Sequence, residues 1–265
     1  MQNSGETKHY KRDQTPPFYD WTPRHLRITL SAYAETHSAL EVLTWCAQYV
    51  RKYLRSLPAD LRWRFWDLRH NVETRRRVPV SKMGLADTAT VTHALYYDPT
   101  DHKVLDRILD DFPQRFERFT FIDLGSGKGK ALFIAAAHGF KRVIGVEFSP
   151  ILTQVARCNI SSYRPRLNAG QIELMQQDAG EFQFPQEPLV IYCYNPFDES
   201  VMRPVLANLG RSYKSYPRLL YMIYVLPDLH QLVDECGFLK VCRQTSGYAV
   251  YSTDEAGREA GAIAR

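Results

Sequence analysis

Apolar and polar positions along this chain keep a helical period in its first third and change to a strand-then-helix rhythm beyond residue 95. From Pro23 to Leu57 there is no glycine and no internal proline, and Leu40, Leu43, Val50 and Leu54 recur at helical spacing with Tyr33 and Trp45. This spacing predicts one or two amphipathic helices, closed by Pro58. Residues 59–82 interleave aromatics with arginines. Leu61, Phe65, Leu68 and Val72 fall at helical spacing, which predicts a helix docking that apolar face while Arg62, Arg64, Arg69 and Arg75 to Arg77 reach water. A nucleic-acid or acidic-protein surface is the sharper reading, because arginine forks bind phosphate and aromatics stack on bases. A membrane-surface helix needs cleaner faces than Trp63 and Trp66 among the arginines provide.

Beyond residue 95 the rhythm becomes strand then helix, repeated. A helix over 101–111 follows a turn in which Thr100 could serve as N-cap. Apolar strands are predicted near 119–124, 142–147, 171–176, 188–195 and 218–225. Helices fall between them at 130–137, 150–161 and 199–213, and another follows at 227–236. Ser149-Pro150 is a strong helix start, with serine as N-cap and proline at N1. Alternation of this kind predicts a parallel sheet covered on both faces. Phe238 to Cys242 and Tyr248 to Ser252, joined by a tight turn at Thr245-Ser-Gly247, must pair antiparallel. Residues 1–22, polar with Pro16-Pro17, and the Gly- and Ala-rich 254–265 read as flexible tails. Residues 23–94 then form a helical, basic N-terminal extension, and 95–253 a single α/β domain.

The candidate chemistry sits at the first strand-to-helix junction, Asp123-Leu-Gly125-Ser126-Gly127-Lys-Gly129-Lys130. Glycine at every second position lets the backbone bend off the strand and a ligand approach closely, and the following helix turns its free N–H groups to the same spot. The second strand ends in Glu147-Phe148. A carboxylate there lies beside the first turn of a doubly wound sheet and can accept from two ribose hydroxyls. A dinucleotide and S-adenosylmethionine both carry a ribose. The dinucleotide fingerprint spaces its glycines G-x-G-x-x-G, whereas this chain has G-x-G-x-G preceded by an acid.

These residues resemble motif I of the class I S-adenosylmethionine-dependent methyltransferases. The resemblance continues through Gln177-Asp178-Ala179 after the third strand and Tyr194-Asn195-Pro196-Phe197 at the end of the fourth, and covers roughly residues 95–252. It implies a doubly wound, mostly parallel seven-stranded sheet closed by the C-terminal antiparallel hairpin, with S-adenosylmethionine as cofactor. By the same resemblance Asp123, Gly125, Ser126 and Gly127 would line the methionine moiety. Glu147 would hold the ribose, Phe148 the adenine face, and Asp178 with the Ala179 N–H the adenine edge. Asn195, Pro196 and Phe197 would form the catalytic segment, which is similar to the Asn/Asp-Pro-Pro-Tyr/Phe motif of enzymes acting on planar nitrogens but has one proline. Tyr97-x-x-Thr100 is similar to the segment over the methionine end of the cofactor in non-SET histone-lysine methyltransferases, which carry Asn-Asn-Phe where this chain has Asn-Pro-Phe. An amine nucleophile suits such a site, since a carbonyl acceptor orients it and Phe197 offers a π face to the developing cation.

Composition refines this reading. Net charge is +5, but residues 1–90 carry 15 Lys and Arg against 9 Asp and Glu, so the N-terminal third is where an acidic partner would bind. Five cysteines (46, 158, 193, 236, 242) form no C-x-x-C. With Cys158 and Cys193 on buried patterns, this predicts a reducing, cytoplasmic location without disulfides or a zinc site. No H-x-x-x-H, nucleophile elbow or P-loop occurs, no apolar leader opens the chain, and no apolar stretch would span a membrane. The expected activity is methyl transfer to nitrogen, with a protein lysine as favoured acceptor. A nucleic-acid acceptor through 62–77, a small-molecule acceptor and a non-catalytic cofactor-binding scaffold are the alternatives. Methyl transfer from a sulfonium is an in-line displacement whose acceleration comes chiefly from alignment, and it requires no metal.

Overall fold

A computed structural model describes residues 34, 37–76, 78, 83–84, 97, 99–112, 115–164 and 172–253. The expected tails at 1–22 and 254–265, and the first part of the helical stretch from Pro23, lie outside the described residues. The chain divides into two compact units, Met1–Pro58 and Ala59–Arg265.

Helix α1 (Ala39–His70) starts in the first unit. Ser38 and Glu41 form a reciprocal cap: the Ser38 N–H donates to Glu41 Oε2 at 2.8 Å and the Glu41 N–H to Ser38 Oγ at 3.4 Å, which satisfies two donors the first turn leaves over. The expected stop at Pro58 does not occur, because proline removes only one i to i−4 bond and helical residues can resume beyond it. Pro204 is carried in the same way inside a later helix.

In the second unit α2 (His102–Asp110) is capped by Asp101, whose side chain accepts from the Lys103 N–H. Strand β1 (Thr120–Leu124) leads through the glycine turn into α3 (Lys130–Ala137). Then follow β2 (Arg142–Glu147), α4 (Pro150–Ser162), β3 (Ile172–Gln176), β4 (Leu189–Tyr194), α5 (Glu199–Ser215), β5 (Leu220–Val225), α6 (His230–Glu235), β6 (Lys240–Gln244) and β7 (Tyr248–Ser252). As expected, Ser149 caps α4 by accepting from the Leu152 N–H, with Pro150 at the first helical position.

The sheet order is β3-β2-β1-β4-β5-β7-β6. The first five strands are parallel, and β7 pairs antiparallel with both β5 and β6. Period-two alternation sends successive residues to two cores. Ile122, Ile144, Ile191 and Met222 pack under α5 and α6, while Phe121, Val143, Val190 and Ile223 pack under α2 and α3. Because the order reverses between β1 and β4, their carboxyl ends diverge and leave a crevice at the centre of the sheet. Asp123 lies opposite Gly145 on one side and Tyr192 on the other.

The stretch after residue 59 docks differently from the expectation. Leu61, Phe65 and Leu68 are 60%, 72% and 65% exposed, and the inward face carries Trp63, Trp66, Asp67 and His70. Trp66 stacks on His70 and lies against Phe133, and Tyr163 stacks on both His70 and Phe133. The buried Asp67 accepts from the Thr74 and Arg75 N–H groups and from the Thr74 hydroxyl at 2.6–2.9 Å. Asn159 accepts from the Glu73 N–H and donates to the Glu73 carbonyl. Aromatic planes and a satisfied polar network therefore hold this segment in place of an aliphatic stripe. Cys193 is buried as expected, but Cys158 is exposed, since α4 turns that position outward.

Candidate functional site

At the carboxyl end of β1 the chain must turn within a few residues, and Gly125, Gly127 and Gly129 do so at φ of 81°, 54° and 87°. Space matters as much as dihedral. A Cβ on Gly127 would lie 2.3 Å from the Tyr97 ring, and one on Gly125 would lie 2.6 Å from Pro196. The turn is bonded to β2 through the Gly125 and Ser126 N–H groups, which both donate to the Val146 carbonyl.

Glu147 ends β2 with its carboxylate buried. Its Oε2 accepts from the Gly127 N–H at 2.9 Å and its Oε1 from the Ser149 N–H at 2.8 Å. Each oxygen keeps a lone pair for a further donor. Burial raises its pKa against these bonds. Asp123 is also buried, no hydrogen bond from a described residue reaches its carboxylate, and burial followed by the neighbouring Glu147 charge holds its pKa well above the usual range. An unpartnered carboxylate in such a place is a receptor for a cation.

A cavity of about 300 Å³ opens over this turn. All the residues singled out from sequence line it: Tyr97, Thr100, Asp123, Gly125, Ser126, Gly127, Glu147, Phe148, Asp178, Ala179, Asn195, Pro196 and Phe197. Thr100 does not cap α2, a place Asp101 takes. Its hydroxyl instead lies 3.3 Å from that of the buried Tyr192. Tyr97 donates its hydroxyl to the Thr74 carbonyl and pairs in a bridge with Val78. Asp178 is exposed and accepts from the Gly180 N–H at 2.7 Å, capping the short 3-10 turn Ala179–Glu181. Asn195 has φ of 38°, its carbonyl accepts from the Tyr224 hydroxyl at 3.2 Å, and its amide donates to Asp228 at 2.7 Å. Leu226, also on the cavity, has φ of 48°. Two of the three left-handed non-glycine residues among those described thus flank one cavity, and such strain persists only where surrounding structure fixes it.

Sequence reasoning passed over Lys128 and Lys130. Lys128 is buried and donates to Glu73 at 2.6 Å and to the Arg76 carbonyl at 2.8 Å, 5.4 Å from the centre of the Tyr97 ring. It clamps residues 73–76 over the glycine turn. Lys130 is 2% exposed and lines the cavity. A lysine after a glycine reads as surface, and only its place as the first residue of a helix that is otherwise apolar signalled burial.

Residues 121–215 match the family model described as a methyltransferase domain. The matched stretch runs from β1 through α5, just over a third of the chain. No curated protein matches the sequence. Among solved structures, one similar to this chain is a predicted N6-adenine-specific DNA methylase of Listeria monocytogenes, at 16% identity over 64% of this chain and 53% of that one, with a TM-score of 0.45. The chain thus spans about half the length of that methylase. Another is an RNA methyltransferase of Salinibacter ruber in complex with S-adenosyl-L-homocysteine, at 22% identity over 58% and 91%, with a TM-score of 0.40. A third is a TehB-like methyltransferase of Corynebacterium glutamicum, at 18% identity over 56% and 85%, with a TM-score of 0.40.

S-adenosylmethionine, the cofactor expected from the sequence motifs, fits this cavity. An unpartnered buried carboxylate suits its cationic end, a second carboxylate with spare lone pairs suits a diol, and the cradle admits no Cβ at Gly125 or Gly127. Bound, the cofactor supplies an electrophilic methyl group on a sulfonium. Among the described residues no helix is long and apolar enough to cross a membrane.

Proposed function

We propose that this chain transfers a methyl group from S-adenosylmethionine to an amine nitrogen, with a protein lysine as the acceptor. In this reading Asp123 takes the ammonium of the methionine moiety, and the turn Gly125-Ser126-Gly127 lies against that moiety under Tyr97 and Thr100. Glu147 accepts from the ribose hydroxyls, Phe148 covers the adenine face, and Asp178 with the Ala179 N–H meets the adenine edge. Asn195, Pro196 and Phe197 form the acceptor end.

The observation that carries the acceptor assignment is the Asn195 carboxamide, fixed between the Tyr224 hydroxyl and the Asp228 carboxylate beside the Phe197 ring. The Asn195 carbonyl oxygen retains a second lone pair for an incoming N–H, and Phe197 supports a cation forming on that nitrogen. Charge at this end supports the same reading. Asp198 follows Phe197 and Asp228 bonds Asn195, so the approach favours a basic side chain over a phosphate backbone.

Labelled methyl transfer into a cell lysate, followed by separate protease and nuclease treatment and acid hydrolysis, tests this. Label recovered as methyl-lysine, and lost with Asn195→Ala, is the expected result; label released by nuclease overturns it. A nucleic-acid acceptor is favoured by a different observation, the exposed face of Arg62, Arg64, Phe65 and Arg69. It requires RNA or DNA binding that weakens steeply with salt.

A further inference from the structure

Among the described residues, two buried side-chain polar atoms that lack a hydrogen-bond partner line the cavity: the Lys130 ammonium and the Ser126 hydroxyl. A third and a fourth, Trp63 Nε1 and His102 Nδ1, belong to the same neighbourhood. Lys130 Nζ lies 5.8 Å from the centre of the Trp63 ring and 4.8 Å from that of Trp66, whose ring is 6.1 Å from that of His102. A desolvated ammonium facing only two indole planes is held by cation–π attraction, which recovers less than an anion would. Burial lowers its pKa to about 8, with Asp67 and Asp101 opposing that shift from a distance. The unpartnered Asp123 carboxylate lines the same cavity, yet no ion pair within 4.0 Å joins it to Lys130. The cavity therefore presents one uncompensated anion and one uncompensated cation that do not neutralise each other. A zwitterionic α-amino acid group compensates both.

We propose that Lys130 is the carboxylate-binding residue of this cavity, taking the α-carboxylate of the bound cofactor with the Ser126 hydroxyl as a second donor. This rests on the assignment of the cavity to S-adenosylmethionine. Trp63 and Trp66 act through Lys130: they shield the ammonium from water and hold it ready, so the segment preceding the methyltransferase domain helps to build the cofactor site.

Titration calorimetry compares wild type, Lys130→Met and Lys130→Arg, each with S-adenosylhomocysteine and with 5′-methylthioadenosine, which lacks the amino-acid group. The expected result is a ~10- to 100-fold loss of S-adenosylhomocysteine affinity in Lys130→Met, the range of a charge-assisted contact. Methylthioadenosine affinity should be unchanged, and Lys130→Arg should recover part of the loss. Unchanged S-adenosylhomocysteine affinity in Lys130→Met, or equal losses for both ligands, overturns the proposal. Methionine should keep the packing against the indoles. If it does not fold, wild type alone decides: decarboxylated S-adenosylmethionine must bind ~10-fold or more below S-adenosylmethionine, and equal affinities overturn the assignment. Wild type that binds none of these ligands overturns the cofactor reading itself, a distinct outcome.

Discussion

At the scale of single residues, burial decides what each charged or small group can do. Gly127 is irreplaceable on two counts, its φ and the Tyr97 ring 2.3 Å from any added Cβ. Gly127→Ala should push Tyr97 off the turn, cost about 1–3 kcal/mol of stability and weaken S-adenosylhomocysteine binding at least ~10-fold in calorimetry; retention of both would show that Tyr97 is not needed there. Asp67 was hidden in the sequence among arginines, yet it accepts three hydrogen bonds in a buried site. Asp67→Ala leaves those donors without an acceptor and should cost about 3 kcal/mol in denaturant unfolding. A change below about 1 kcal/mol would mean that water replaces it.

Among elements, the junctions matter more than the elements themselves. Helix α4 is anchored by Ser149, which caps it and also donates its hydroxyl to the Met83 carbonyl at 2.6 Å. Because Met83 lines the cavity, Ser149→Ala should combine a cap loss of about 1 kcal/mol with weaker cofactor-product binding. A stability loss without any binding loss would restrict the residue to its cap. The helix ending at His70 shows how a pattern can mislead. Leu61, Phe65 and Leu68 keep helical spacing, but so do Trp63, Trp66 and His70, and sequence alone does not rank the two faces. The aromatic face wins because Phe133, Tyr163 and the Lys130 ammonium offer it planar and cationic partners, an arrangement assembled from α3 and the segment after α4.

For the molecule as a whole, ligand binding and pH are coupled through these buried charges. Burial raises the pKa of both Asp123 and Glu147 in the free protein. In the proposed binding mode the ligand's α-ammonium favours ionised Asp123 and its ribose hydroxyls, as donors, favour ionised Glu147, so binding releases protons. Affinity for S-adenosylhomocysteine should therefore rise as pH increases through the raised carboxylate range. Above the Lys130 value of about 8 the ammonium deprotonates and affinity should fall again, with Asp67, Asp101 and His102 as the nearby titratable groups. Calorimetry across pH in buffers of different ionisation enthalpy reads both limbs. A flat acidic limb would mean that neither carboxylate gains charge on binding.

Local signals settled much of this protein in advance. The strand, glycine turn and helix at 119–137, the Ser149-Pro150 helix start, the parallel alternation and the closing hairpin each depend on neighbours within a few residues, so the sequence determined them by itself. It also determined that Asp123, Glu147, Asp178 and Asn195 meet at the cavity, because they end or follow successive strands of one doubly wound sheet. The tertiary structure decided what depends on a distant surface. It turned Trp63 and Trp66 inward, half-buried, and left Leu61, Phe65 and Leu68 in water, carried helix α1 through Pro58, gave the cap of α2 to Asp101 and turned Thr100 to Tyr192. It also enclosed Lys128 and Lys130, residues that a sequence reading assigns to solvent. A buried charge depends on partners brought from far along the chain, and those partners exist only once the chain has folded.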